Sequence, residues 1–169
     1  MNFFLDNVFF YQSTLSPGYY LRNLMMSSEL PIKSSLFSFF FLGAVALLYF
    51  SLSVWCTLDP QTTSDKVGFQ RIPGAGESEF LVIYGGLEMA MALMFAMPLL
   101  RRSFLLPSLF FCFLIHLCLV VYRSASFAIY SDIPAFTYQL AIGEWIILLM
   151  SMLALFLNRD SLLLNNAAT

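Results

Sequence analysis

Four ionisable side chains interrupt stretches of this sequence that are otherwise apolar. They are Glu88, His116, Arg123 and Glu144. A charged group at the centre of a bilayer costs about 2.5–3.5 kcal/mol on insertion scales, so such groups face protein or water rather than lipid. Carboxylates and an imidazole can hydrogen-bond a ligand, hold a metal ion or relay protons, and a guanidinium can bind an anionic group. These residues are therefore the first candidates for a functional site.

The positions of three of these residues predict a common depth in the membrane. At about 1.5 Å per helical residue, Glu88 and Glu144 each lie about 12 Å below one end of the bundle. His116 lies about 18 Å from the opposite end by the same measure. In a hydrocarbon core of about 30 Å the three side chains reach the same level. We therefore expect them to face one another.

Helical spacing adds two neighbours to this cluster. Arg123 follows His116 by seven residues, so both belong to one helical stripe, with Arg123 near the mouth. Tyr84 precedes Glu88 by four residues, on the same face. The predicted interior polar cluster consists of Tyr84, Glu88, His116, Arg123 and Glu144.

Four interpretations of this cluster remain open at the level of sequence. The polar residues could join the helices through hydrogen bonds alone. They could form an outward-facing ligand pocket, with Arg123 attracting an anionic end. Glu88, His116 and Glu144 could hold a metal ion, although a single histidine in the chain favours no metal site and excludes bis-histidine haem. The two carboxylates could also relay protons.

The composition indicates the kind of elements that position these residues. Of the 169 residues, 60% are hydrophobic and 11% are charged, whereas soluble domains carry about 25% charged residues. Four apolar runs are long enough to cross a bilayer, which takes about 20 residues. The predicted fold is an all-α membrane protein with a four-helix transmembrane bundle. Its spans are residues 35–56, 80–100, 104–123 and 135–157.

The segments outside the spans are more polar. Residues 1–33 interleave aromatic and polar side chains, which is typical of an interfacial amphipathic arm. The transmembrane domain is predicted over residues 34–158, and residues 159–169 are predicted to be a cytoplasmic tail. Residues 57–79 are a polar connection rich in turn-forming residues, either a lid over the bundle or a plain connector.

The distribution of Lys and Arg predicts the orientation. With both termini inside, five basic residues lie on the inner side and three lie outside. Arg101 and Arg102, adjacent in the shortest connection, are the strongest indication that this connection is cytoplasmic. We expect a multi-pass protein of a bacterial cytoplasmic (inner) membrane with its N- and C-termini inside.

Several function classes receive no support from the sequence. A net charge of −2 provides no basic surface for nucleic acid. The three cysteines form no C-x-x-C pair, so neither a zinc ribbon nor a thioredoxin-type redox pair is indicated. No nucleophile–base pair and no cofactor motif is present, so a non-enzymatic role without a cofactor is favoured.

The run Tyr84-Gly85-Gly86-Leu87-Glu88, the arginine closing the third span and the glutamate inside the fourth carry a family resemblance. Over residues 35–157 the sequence resembles an uncharacterised branch, a domain of unknown function, of the DoxX-like superfamily of small four-helix membrane proteins. The resemblance implies a compact bundle in which Glu88, Arg123 and Glu144 face the interior. Some relatives are accessory or redox-associated membrane subunits, and no catalytic residue is implied.

Two functional hypotheses follow. In the first, the bundle binds a mostly apolar small molecule, lipid-like or quinone-like, in the polar-centred pocket. In the second, the protein is a non-catalytic accessory or assembly subunit of a larger membrane complex. The N-terminal arm and the Phe-rich outer faces would then contact other membrane protein subunits, and the interior carboxylates would be structural.

Overall fold

The computed structural model describes residues 32–158, and within that range the chain forms helices and no strands. Four stretches are long and apolar enough to cross a membrane: Leu36–Leu58, Ala75–Leu100, Arg102–Ile129 and Ala135–Leu157. The predicted all-α fold with four apolar spans is confirmed. The predicted arm, residues 1–33, lies almost entirely outside the described residues, and so does the predicted tail, residues 159–169.

The chain between residues 32 and 158 forms six α-helices. They are α1 (Ile32–Leu58), α2 (Pro60–Lys66), α3 (Ala75–Phe80), α4 (Glu88–Leu100), α5 (Leu105–Ile129) and α6 (Ala135–Leu157). A π-helical segment, Leu81–Leu87, joins α3 to α4, so that the three make one continuous second span. A short 3₁₀ turn, Arg102–Phe104, precedes α5. The first, third and fourth spans are α1, α5 and α6.

The connection between the first two spans is more ordered than its turn-rich composition predicts. Asp59 begins α2, where its carboxylate accepts a hydrogen bond from the Thr62 N–H at 3.3 Å and a proline occupies the next position. Both are strong helix-start features. Gly74 has a φ of +79° and precedes α3, and its N–H donates to the Glu77 carboxylate at 3.1 Å. The second span therefore starts at residue 75 rather than 80, because a capped polar turn extends it.

The four spans pack as two hairpins. The first and second spans share the most extensive interface, followed by the third and fourth. Buried apolar side chains from all four spans form the core between the hairpins, with Leu42, Phe95, Leu109 and Ala154 at its centre. We call the end of the bundle with the connections 59–74 and 130–134 the loop end. The opposite end, where Arg101 and Arg102 lie, is the arginine end.

Gly85 lets the first and second spans approach closely near the loop end. A Cβ atom at residue 85 would lie 2.9 Å from the Thr57 hydroxyl oxygen, closer than real contacts allow. The hydroxyl of Ser53 donates to the Gly85 carbonyl oxygen at 2.7 Å. This contact falls in the π-helical segment, where the regular backbone ladder is interrupted. Gly85 is therefore required for this close helix contact, whereas a side chain at residue 86 would meet open space.

Pro98 removes one backbone donor from the second span, and the third span compensates for it. Because proline has no N–H, the Met94 carbonyl four residues earlier loses its usual partner. The hydroxyl of Ser108 donates to that carbonyl oxygen at 3.0 Å. Freed backbone groups inside a membrane are tolerated where a neighbouring helix satisfies them in this way.

Candidate functional site

Arg123 and Glu144 form an ion pair between the third and fourth spans. The Arg123 Nε donates to Glu144 Oε2 at 2.8 Å, and Nη2 donates to Oε1. The arginine side chain is 27% exposed and the glutamate side chain is 12% exposed. The two-bond geometry uses the guanidinium fork and both carboxylate oxygens. Each charge therefore compensates the other.

His116 is fully buried in the bundle core, where both of its ring nitrogens have partners. Its Nδ1 donates to the carbonyl oxygen of Cys112 at 2.7 Å, and its Nε2 accepts from the Tyr49 hydroxyl at 3.1 Å. The Tyr49 ring also packs edge-on against the imidazole, with centroids 5.8 Å apart. This arrangement satisfies one tautomer of a neutral imidazole completely.

Glu88 differs from both of these groups. Its Oε2 atom is buried, and no hydrogen-bond partner for it exists among residues 32–158. A buried polar atom without a partner costs about 1–3 kcal/mol, and more if it is charged. The carboxyl group of Glu88 is therefore the polar group of the original cluster that the described protein leaves available.

Glu88 lines a small pocket near the loop end. Three spans and α2 build it, and the lining is almost entirely apolar. The cavity volume is about 70 Å³, larger than the space that one water molecule needs. The lining residues are Leu52, Trp55, Cys56, Thr63, Lys66, Val67, Phe80, Tyr84, Glu88, Phe136 and Leu140.

Aromatic rings form the walls of this pocket. The Tyr84 ring stacks on that of Phe80, with centroids 4.6 Å apart, and contacts the Phe69 ring edge-on at 5.8 Å. The ammonium group of Lys66 lies 5.5 Å from the ring centroids of both Trp55 and Phe136. Cation–π contacts of this length are stabilising. They place a positive charge beside the pocket, which also contains the Glu88 carboxyl group.

The five predicted site residues thus fall into three groups. Tyr84 and Glu88 share the pocket. His116 belongs to the hydrogen-bonded core, and Arg123 and Glu144 pair with each other. Across the described part of the chain, no three His, Cys, Asp or Glu side chains are grouped to hold a metal ion.

Of the residues that line the pocket, only Tyr84 and Glu88 were singled out from the sequence as site candidates, and the three that form its cation–π contacts, Trp55, Lys66 and Phe136, were not. Lys66 belongs to a connection, and only the fold of α2 brings it over the bundle. Trp55 lies near the end of the first span and Phe136 is the second residue of the fourth, and no sequence pattern distinguishes either of them. The hydroxyl of Tyr49 was the one available signal for the histidine contact, since a phenol inside a span requires a partner.

Comparisons of the chain with protein-family models, curated proteins and solved structures give no match. The resemblance to the DoxX-like superfamily therefore stays a prediction from the sequence. The description of the fold and of the site therefore depends only on this protein's own structure. That structure is helical and has four apolar stretches suited to a multi-pass membrane protein.

Proposed function

We propose that this multi-pass membrane protein binds a mostly apolar small molecule through the loop-end pocket. The single observation that carries the proposal is the buried Oε2 of Glu88, which has no partner in residues 32–158. A buried polar atom without a partner requires an explanation, and at Glu88 the adjoining pocket offers one, because a molecule bound there can supply the missing hydrogen bond. A ligand that donates a hydrogen bond to Glu88 removes the cost of leaving this atom unpaired.

The size and lining of the pocket define the ligand class. A cavity of about 70 Å³ is smaller than the 300–1,000 Å³ typical of pockets that enclose whole ligands. It therefore receives the polar end of an elongated molecule, and the apolar remainder lies along the helices. Glu88 takes a donor group and Lys66 takes an acceptor oxygen, a combination that quinol-like and glycerolipid-like head groups provide.

The pairing of Arg123 changes the role that the sequence gave to that residue. Arg123 was expected to attract the anionic end of a ligand, but its guanidinium is engaged by Glu144. Lys66, which contacts only aromatic rings through its ammonium group in the described structure, takes that role in the proposal. An exposed lysine at the pocket edge can reach a ligand without leaving a buried carboxylate unpaired.

The proposal includes an orientation. The loop end faces outward and the arginine end faces the cytoplasm of a bacterial cytoplasmic membrane, because Arg101 and Arg102 occupy the shortest connection. The pocket then opens toward the outer leaflet. A place in the DoxX-like superfamily, as the Tyr84-Gly85-Gly86-Leu87-Glu88 run suggests, is compatible with this arrangement.

Quenching of tryptophan fluorescence tests the proposal directly. The chain has two tryptophans, and only Trp55 lines the pocket. In a Trp145→Phe background, titration with a short-chain benzoquinol carrying a decyl tail should quench Trp55 saturably. Glu88→Met should weaken this binding about tenfold or more, because a hydrogen bond to a charged group contributes about 1.5–3 kcal/mol.

Glu79→Met is the matched control, since Glu79 is an exposed carboxylate on the same span. It should leave the quenching curve unchanged. The proposal fails if the dimethyl ether of the same quinol, which keeps the ring and the decyl tail but has no hydroxyl to donate, displaces labelled quinol as effectively as unlabelled quinol does. It also fails if Glu88→Met binds the quinol as the parent does. Either result would show that the probe reaches Trp55 by non-specific partitioning into apolar surface and not by binding at Glu88.

The accessory-subunit hypothesis stays a prediction. The N-terminal arm on which it depends lies outside the described residues, and the exposed phenylalanines of the spans are equally suited to lipid contact. Stoichiometric co-purification of other membrane subunits from native membranes would favour it. Purification of the chain alone, with a bound apolar molecule, would favour the ligand-binding function.

A further inference from the structure

A second candidate site lies at the arginine end of the bundle, opposite the loop-end pocket, and shares no residue with it. The start of the first span and the end of the second span leave an open groove between them. Its volume is about 370 Å³, within the range of sites that hold ligands. The groove is lined by Leu36, Phe39, Pro98, Leu99, Leu100 and Arg102.

Arg102 lines this groove, and a second arginine, Arg101, directly precedes it in the chain. In the described part of the chain, the ion pair between Arg123 and Glu144 is the one salt bridge, so neither Arg101 nor Arg102 is neutralised there. The Arg102 guanidinium lies 5.9 Å from the centroid of the Phe39 ring, which forms one wall. That contact holds a positive charge at the rim, and within residues 32–158 no carboxylate occupies the N–H groups of this guanidinium.

The apolar floor of the groove complements this charge. Leu99 and Leu100 are 63% and 79% exposed at the very end of the second span. Apolar side chains at this position contact acyl chains, while arginines one and two residues later reach the level of the phosphates. Along the end of the second span, apolar side chains are therefore followed by positively charged ones. This order matches a phospholipid, in which acyl chains are followed by a phosphate.

We propose that the groove at the arginine end is a binding site for an anionic glycerophospholipid. The phosphate lies against Arg101 and Arg102, and one acyl chain lies along Leu99 and Phe39. Paired arginines suit the phosphate because the guanidinium fork donates two hydrogen bonds to neighbouring oxygens. Basic pockets between spans commonly bind anionic head groups on the cytoplasmic side. This proposal does not depend on a ligand at Glu88.

Native mass spectrometry of the full-length protein in a neutral detergent tests the site. Titration with phosphatidylglycerol or phosphatidylcholine of identical acyl chains measures the dissociation constant of the first bound lipid. Phosphatidylglycerol should bind about tenfold more tightly, since each arginine near the surface favours an anionic head group. The double variant Arg101→Gln with Arg102→Gln should lose this preference.

A charge-matched control changes the net charge by the same two units at the opposite end of the bundle. Arg71→Glu should keep the lipid preference, because Arg71 lies at the loop end and does not line the loop-end pocket. If it loses the preference as well, net charge rather than a defined site explains the binding. Inorganic phosphate in excess should not displace the lipid, since it lacks the acyl chain that fills the groove.

A second pair of variants tests the apolar part of the groove without changing any charge. Leu99→Trp should fill the groove and weaken phosphatidylglycerol binding several-fold. Leu93→Trp, at a residue of the same span that is 62% exposed and does not line the groove, should have no effect. Equal effects of the two tryptophans, or failure of the parent protein to bind either lipid, would overturn the proposal.

Discussion

The bundle interior and the loop-end pocket differ in whether their buried ionisable groups have partners. In the interior, Arg123 and Glu144 neutralise each other, and both nitrogens of His116 are hydrogen-bonded. In the pocket, Glu88 keeps a buried oxygen without a partner, within a lining that is almost entirely apolar. The glutamates of the second and fourth spans thus lie at similar predicted depths in very different environments.

The difference separates residues that hold the bundle together from residues available for a ligand. A satisfied polar pair links two helices and gains nothing from an outside molecule. An unsatisfied carboxyl group destabilises the folded protein until something binds it, which is the usual exchange of stability for function. Substitutions at the two glutamates should therefore change stability in opposite directions.

Breaking the ion pair should give the largest effect. Arg123→Gln leaves the Glu144 carboxylate without its cation. Breaking a fully buried pair costs about 3–5 kcal/mol, which is the upper limit for this partly exposed pair. The free energy of unfolding, measured by equilibrium unfolding in mixed detergent and SDS, should fall by up to this amount. The expected loss exceeds that of any single hydrogen bond in the bundle.

The double variant Arg123→Gln with Glu144→Gln supplies the control for that prediction. Two neutral amides can hydrogen-bond each other, and no uncompensated charge remains, so much of the lost stability should return. If the losses of unfolding free energy caused by the two single substitutions simply add in the double variant, the residues do not interact. The proposed difference between the interior and the pocket would then be wrong.

At the pocket, a substitution should raise the free energy of unfolding instead of lowering it. Glu88→Met replaces an unpartnered carboxyl group with an apolar side chain of similar length, and the cost of a buried unsatisfied atom disappears. In ligand-free detergent the free energy of unfolding should rise by about 1 kcal/mol, at the lower end of that cost. Glu79→Met, at an exposed site, should change it little. Destabilisation by Glu88→Met would mean that Glu88 makes a structural bond, as Glu144 does.

Much of the fold could be predicted from the sequence because each span had to be long and apolar. The interior location of His116 and Glu144 also followed from the cost of exposing them to lipid. The partners did not follow, because they depend on the rotation of each helix about its axis. The long side chain of Arg123, expected at the mouth, reaches Glu144, and the hydroxyl of Tyr49 reaches His116.

The pocket was harder to predict for a different reason. Its position depends on α2, a short helix in a segment whose glycines and prolines favour turns. A single carboxylate cap at Asp59 and the proline after it start this helix, and the helix then carries Lys66 over Trp55. Hydropathy does not predict that Lys66 lies over Trp55, since Lys66 is an ordinary polar residue in a polar connection.

The smallest predicted change in the free energy of unfolding comes from removing a hydroxyl that hydrogen-bonds a backbone carbonyl oxygen of the second span. Ser108→Ala removes the donor to the Met94 carbonyl, and such interhelical bonds in membranes average about 0.6 kcal/mol. Pro98→Ala restores the N–H that the carbonyl lost, so Ser108→Ala should cost little in that background. A double-mutant cycle of the unfolding free energies measures this coupling. Equal costs of Ser108→Ala in both backgrounds would show that the hydroxyl does not compensate for the proline, and that the interior tolerates an unsatisfied group as the pocket does.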